Sequence, residues 1–194
     1  MKKTYTQILF SLSSLLLIVG CDKTDCNKKD IYYNVRDIDK SMLPYSGYDT
    51  LTYIRTNLGD THTFIGTGKK TTYDVQSEMA DCGNTLHYEN YFYTYKCNNF
   101  NDLVIGQYTN NNISCFTYID FNSQNFRGDV DFNDSKPDLD SVILSSNKIY
   151  HKVERIPNFN PTPTTYMAYF NQQYGCIKMV FTNGDTWELL SFKK

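Results

Sequence analysis

From about Tyr48 onward, apolar and polar residues alternate with a period of two. YDTLTYIRT and THTFIGTG flank a turn at Asn57 to Asp60 and predict a hairpin. TTYDVQ, YENYFYTYK, LVIGQY, ISCFTYIDF and RGDVDF read as further strands, separated by Asn-rich turns such as Thr109 to Asn112. The stretch from Ser77 to Asp81 reads as a single helical turn. SVILSS and KIYHKVERI flank Asn147-Lys148, and TYMAYFN follows the Pro-rich link PNFNPTPTT. The clearest element is the last. CIKMVFT and TWELLSF flank Asn183-Gly184-Asp185, and Asn-Gly favours a tight hairpin because both residues tolerate positive φ. No stretch keeps a helical period over ten residues. The pattern predicts an all-β fold with antiparallel connections, as a sandwich or a curved, partly closed sheet, with little helix outside the N-terminal run.

That N-terminal run has a different character. Lys2 and Lys3 precede an apolar stretch from Ile8 to Val19, followed by Gly20 and Cys21. A positive start, a short apolar core and a small residue form a secretory signal peptide. The run is shorter than the roughly 20 apolar residues a spanning helix needs. Its end, Ile18-Val19-Gly20-Cys21, resembles the lipobox of bacterial lipoproteins. The resemblance implies cleavage after Gly20, a diacylglyceryl group on the Cys21 thiol and a further acyl chain on the new N-terminus. Two or more chains anchor a protein stably, at roughly 0.8 kcal/mol per buried methylene. The expected organisation is a signal peptide over 1–20, a polar tether over 21–45 and one β-rich domain over 46–194.

Charge narrows the partners. Without Lys2 and Lys3 the 19 Lys and Arg become 17, against 21 Asp and Glu, a net charge of −4. No basic stripe prepares the chain for nucleic acid. The chain has 17 Tyr and 12 Phe but one Trp, which suits strands. Of six cysteines, five remain once Cys21 is assigned to lipid: Cys26, Cys82, Cys97, Cys115 and Cys176. An exported protein is free to form disulfides, and five leaves one thiol over. Cys82 with Cys97 flank a segment able to fold back on itself. Cys115 and Cys176 both lie in apolar strand-like runs and form the second expected pair.

Two patterns carry candidate chemistry. In GDVDFNDSKPDLDS, Asp129, Asp131, Asn133 and Asp140 stand at positions 1, 3, 5 and 12 of a calcium-type loop. Asp134 occupies the place of the turn glycine, and Pro137 stiffens the second half, so an acidic turn after an alternating strand competes with this reading. Tyr91, Tyr93 and Tyr95 share one strand face by their spacing. Exposed, they would stack on sugar rings or on a partner's aromatics; buried, they would pack in the sheet. His62, His87 and His151 have no second ligand at metal spacing. The chain contains no GxSxG, HExxH, phosphate-binding loop or dinucleotide fingerprint. No cofactor is expected, and enzymatic activity is disfavoured.

The C-terminal stretch from Ser141 to Leu190 resembles small lipoproteins of Bacteroidetes-type bacteria. Tyr169, Tyr174, Gly175, Ile177, Lys178, Gly184, Trp187 and Leu189 occupy the matching places, with Cys176 where an aliphatic residue is commoner. The resemblance implies an antiparallel β end and no activity. With the lipobox, the expected address is the outer membrane of the bacterial cell envelope, on either its periplasmic or its surface face. The expected function is binding or assembly there, with the membrane held through the lipid and an envelope protein or glycan as partner. A lipid-anchored hydrolase of envelope polymers, using acids near Asp129 to Asp140, is the alternative.

Overall fold

A computed structural model describes residues 27–78, 83–109, 115–122, 124–128, 130, 137–157 and 166–194. The elements in chain order are β1 (Asp30–Tyr33), helix α1 (Asp37–Ser41), β2 (Thr50–Arg55), β3 (Asp60–Ser77), β4 (Thr85–Cys97) and β5 (Phe100–Thr109). They continue with β6 (Cys115–Phe121), β7 (Gln124–Gly128), β8 (Leu139–Ile143), β9 (Ile149–Pro157), β10 (Met167–Asn171), β11 (Gly175–Val180) and β12 (Thr186–Lys193).

Eleven strands form one antiparallel sheet in the order β7-β6-β5-β4-β3-β2-β12-β11-β10-β9-β8. Every sequence-adjacent pair joined by a described turn is a hairpin, including Thr56–Gly59 and Thr182–Asp185. The first and last parts of the domain meet in the middle, where β2 pairs with β12 and Leu51 lies opposite Phe192. The sheet curls into a half-barrel, so β7 comes against β9, and a Cβ on Gly128 would meet Pro157 at 3.2 Å. The curved-sheet form of the expected all-β fold is therefore the one adopted.

Curling places one face of every strand inside. Leu51, Tyr53, Phe64, Tyr95, Leu103, Ile105, Ile119, Phe121 and Phe126 come from one half, and Val153, Ile156, Phe170, Ile177, Met179, Trp187 and Leu189 from the other; none exceeds 1 % exposure. Trp187 packs edge-on to Phe100 at 5.0 Å and Phe121 at 5.1 Å, which ties β5, β6 and β12 together.

Residues 30–45, expected as part of a polar tether, belong to the domain. β1 lies parallel to the start of β4, with Asp30 opposite Thr85 and Tyr33 opposite Tyr88. The chain then crosses the interior of the half-barrel, where Val35, Met42, Leu43 and Tyr45 are buried. Its polar residues find partners there. Buried Glu89 accepts the Val35 amide at 2.7 Å and meets the Lys40 ammonium at 2.8 Å.

The expected pairing of Cys115 with Cys176 is not made. Cys176 is a free thiol in β11, fully buried, and burial pushes it up to about 12. Cys115 stands across the sheet at the start of β6, opposite Thr109. Cys97 is also a free thiol, and its expected partner Cys82 lies outside the described residues. Among the described residues no helix is long and apolar enough to cross a membrane.

Candidate functional site

The tyrosine ladder of β4 does share one face, but that face is the core. Tyr95 is fully buried and donates to Asp49 at 3.2 Å, Tyr93 is 3 % exposed, and the Tyr91 and Tyr93 hydroxyls lie 3.0 Å apart. Tyr45 packs edge-on against Tyr93 and Tyr95, both at 5.6 Å. The alternation that puts these rings on one side leaves the other side of β4 for different residues, and a pocket lies there.

This pocket, of about 330 Å³, sits on the outer face of β3 to β7. Strand register builds it. Asp74 of β3 lies opposite Tyr88 of β4, Asn90 of β4 opposite Tyr108 of β5, and Tyr118 of β6 opposite Arg127 of β7. Gln76 and Asn125 complete the polar lining. Gly106 of β5 lies between Phe92 and Tyr118 in the register. A Cβ there would meet the Phe92 Cβ at 2.5 Å and the Tyr118 ring at 2.9 Å, so the absence of a side chain lets Tyr118 lie across the strand.

Two of the three tyrosine rings stack on a neighbouring ring. Tyr88 stacks on Tyr33 of β1 at 5.1 Å, and Tyr108 stacks on Phe116 at 5.3 Å. The Arg127 guanidinium sits 4.5 Å over the Tyr108 ring, a cation–π contact. Burial raises all three phenols above their ordinary value. At Tyr118 the Asp120 and Asp74 carboxylates add to the rise, and at Tyr108 Arg127 partly offsets it. The three hydroxyls therefore stay protonated and able to donate at any physiological pH.

The polar groups of the pocket are sparsely satisfied. Among the described residues, no hydrogen bond engages the side chains of Asp74, Gln76 or Asn90. The Asn125 Oδ1 is buried with no hydrogen-bond partner. A buried acceptor left in that state costs about 1–3 kcal/mol. The pocket thus offers aromatic faces beside groups that want donors and acceptors.

The opposite end of the half-barrel carries a rim cluster. Arg55 holds Asp60 through two contacts of 2.6 and 3.0 Å, and His62 reaches the same carboxylate at 2.8 Å. The hydrogen bonds from Arg55, then those from His62, hold the Asp60 carboxyl well below the usual range. His62 packs 4.6 Å from Phe100 and 5.1 Å from Trp187, so the cluster closes the core.

Of the calcium-loop residues, Asp129, Asp131 and Asn133 lie outside the described residues, and Asp140 is exposed on edge strand β8. Among the described residues no group of three or more His, Cys, Asp or Glu is placed to hold a metal ion. Cys21 also lies outside the described residues.

The fold and pocket define a class: a curled, single-sheet β domain with an aromatic, amide-lined pocket on its outer face. Comparison of the chain with protein-family models, curated proteins and solved structures finds no match.

Proposed function

We propose that this chain is a lipid-anchored lipoprotein of the bacterial cell envelope whose β domain binds a ligand in the outer-face pocket. Lipidation rests on the lipobox Ile18-Val19-Gly20-Cys21 and the charged sequence after it. Binding rests on one observation above the others. A preformed pocket carries three tyrosine rings beside Asp74, Gln76 and Asn90, whose side chains make no hydrogen bond among the described residues. Sites of this kind, mostly preformed and with a few convergent polar groups, are where ligands bind.

Two measurements on the full-length protein test the two halves. Labelled palmitate fed to expressing bacteria is incorporated into the wild type and lost in Cys21→Ala; equal labelling would end the lipoprotein reading. Native mass spectrometry after release in mild detergent finds a bound species on the wild type that Tyr118→Ala depletes. Its absence from both proteins, or equal amounts on both, would contradict the pocket's assignment.

A further inference from the structure

We propose that the outer-face pocket is a saccharide subsite that takes one or two neutral sugar rings. The inference deepens the binding function proposed above and rests on it.

Shape and charge lead to this class. The pocket volume of about 330 Å³ lies at the low end of small-molecule sites, roughly 300–1,000 Å³. One carboxylate, Asp74, and one guanidinium, Arg127, line it, so the site is close to neutral. A phosphorylated ligand would meet Asp74 as well as Arg127 and gain no net attraction, and a fatty chain would strand the amides in apolar surroundings.

The aromatic and polar groups then fit the two surfaces of a sugar ring. A pyranose presents an apolar C–H face that lies against an aromatic ring, and a rim of hydroxyls that each donate and accept. Tyr88 and Tyr118 supply the rings, and the stacking of Tyr88 on Tyr33 fixes it beforehand, while Tyr108, stacked on Phe116 and covered by Arg127, forms the wall beside them. A platform fixed before binding loses less entropy on binding. Asn90 and Asn125 offer amides that both donate and accept, while Asp74 accepts only. Asp74, Gln76 and Asn90 make no side-chain hydrogen bond among the described residues, and sugar hydroxyls supply partners for them. A bound sugar meets these groups with hydrogen bonds, which an apolar ligand cannot do.

The test is calorimetric titration of the full-length protein in detergent micelles with maltose, cellobiose and N,N′-diacetylchitobiose, and with glucose 6-phosphate as a charged comparison. At least one neutral disaccharide binds. Affinity falls about tenfold in Tyr118→Ala, where the stacking face is lost, and is retained in Tyr118→Phe, where it is kept. Gln76→Ala lowers it as well, and serves if Tyr118→Ala fails to fold. Binding that none of these substitutions moves would overturn the inference, as would a preference for glucose 6-phosphate. Failure of all three disaccharides, with a non-sugar species retained in native mass spectrometry, would remove the saccharide and leave the pocket's binding function standing. Failure of both would remove both.

Discussion

At the scale of single residues, the turn between β10 and β11 shows why a short motif matters. Gly175 has φ +74, and the space a Cβ would need is already filled by the Tyr45 hydroxyl. That hydroxyl accepts the Cys176 amide at 2.7 Å, while the Tyr53 hydroxyl donates to the Cys176 carbonyl at 2.7 Å. Two tyrosines from distant parts of the chain thus satisfy one buried peptide unit. Gly175→Ala should cost about 2–4 kcal/mol, from the left-handed backbone and the displaced ring. Tyr45→Phe should cost about 1–3 kcal/mol, because the Cys176 amide is left without an acceptor. Chemical denaturation of both variants checks this; unchanged midpoints would show that the contact contributes nothing. The sequence shows the glycine beside a tyrosine but gives no sign of Tyr45, which lies 130 residues away. Asp49 is similarly hidden. It stands at the start of the run read as a strand, yet it is fully buried, accepting from Ser46, Gly47 and Tyr95.

At the scale of elements, hairpins were legible and faces were not. The β2–β3 and β11–β12 turns depend on neighbours in the chain, so local residue types such as Asn183-Gly184 announce them. Period-two spacing likewise puts Tyr91, Tyr93 and Tyr95 on one face, but nothing in it says whether that face is inside. The pocket was not legible at all. Asp74, Asn90, Tyr108, Tyr118 and Arg127 come from five strands, and only the register brings them together. The segment before β2 misled for another reason. Its charged composition conceals four spaced anchors, Val35, Met42, Leu43 and Tyr45, which show no period a strand or helix would reveal. Leu43→Ala tests their role. With Leu43 buried among core residues, the substitution should cost about 2–4 kcal/mol in thermal unfolding. A loose tether would tolerate it without change.

At the scale of the whole molecule, the two edges of the sheet are fastened differently. β7 rests against β9 through side chains, while the β8–β9 hairpin is tied to β12 by a buried carboxylate. Glu188 accepts the Ser145 amide at 2.7 Å and hydroxyl at 2.6 Å, and meets the Lys178 ammonium at 2.9 Å. Burial alone would raise its pKa, but these partners hold it below the ordinary value. A group depressed in the folded state stabilises the protein above its unfolded pKa, roughly 4.3 for Glu, and loses that contribution as pH falls through the folded value. Glu188→Gln should therefore melt below the wild type at pH 7, with the gap closing in acid. A gap that is constant with pH would contradict the ion's role. The proposed anchor would also set an orientation. The chain is fastened from Lys29, whose amide donates to Asn84 Oδ1 at 3.1 Å. With Cys21 lipidated as proposed, the eight residue steps from Cys21 to Lys29 would reach at most about 29 Å, which would keep the β1 end of the β3–β4 hairpin near the bilayer. Gln76 and Tyr88 of the pocket lie within a few residues of that end.

The central claim is that the outer face of β3 to β7, and not the edge of the sheet, is where this protein meets its ligand. Photo-crosslinking in intact cells tests it most directly, with p-benzoylphenylalanine placed at Asn90 in one full-length protein and at Asp140 on edge strand β8 in another. Adducts at Asn90 that are weak or absent at Asp140, and that fall when Tyr118→Ala is added, are the predicted result. Equal crosslinking from both positions, or adducts at Asn90 that Tyr118→Ala leaves untouched, would contradict it.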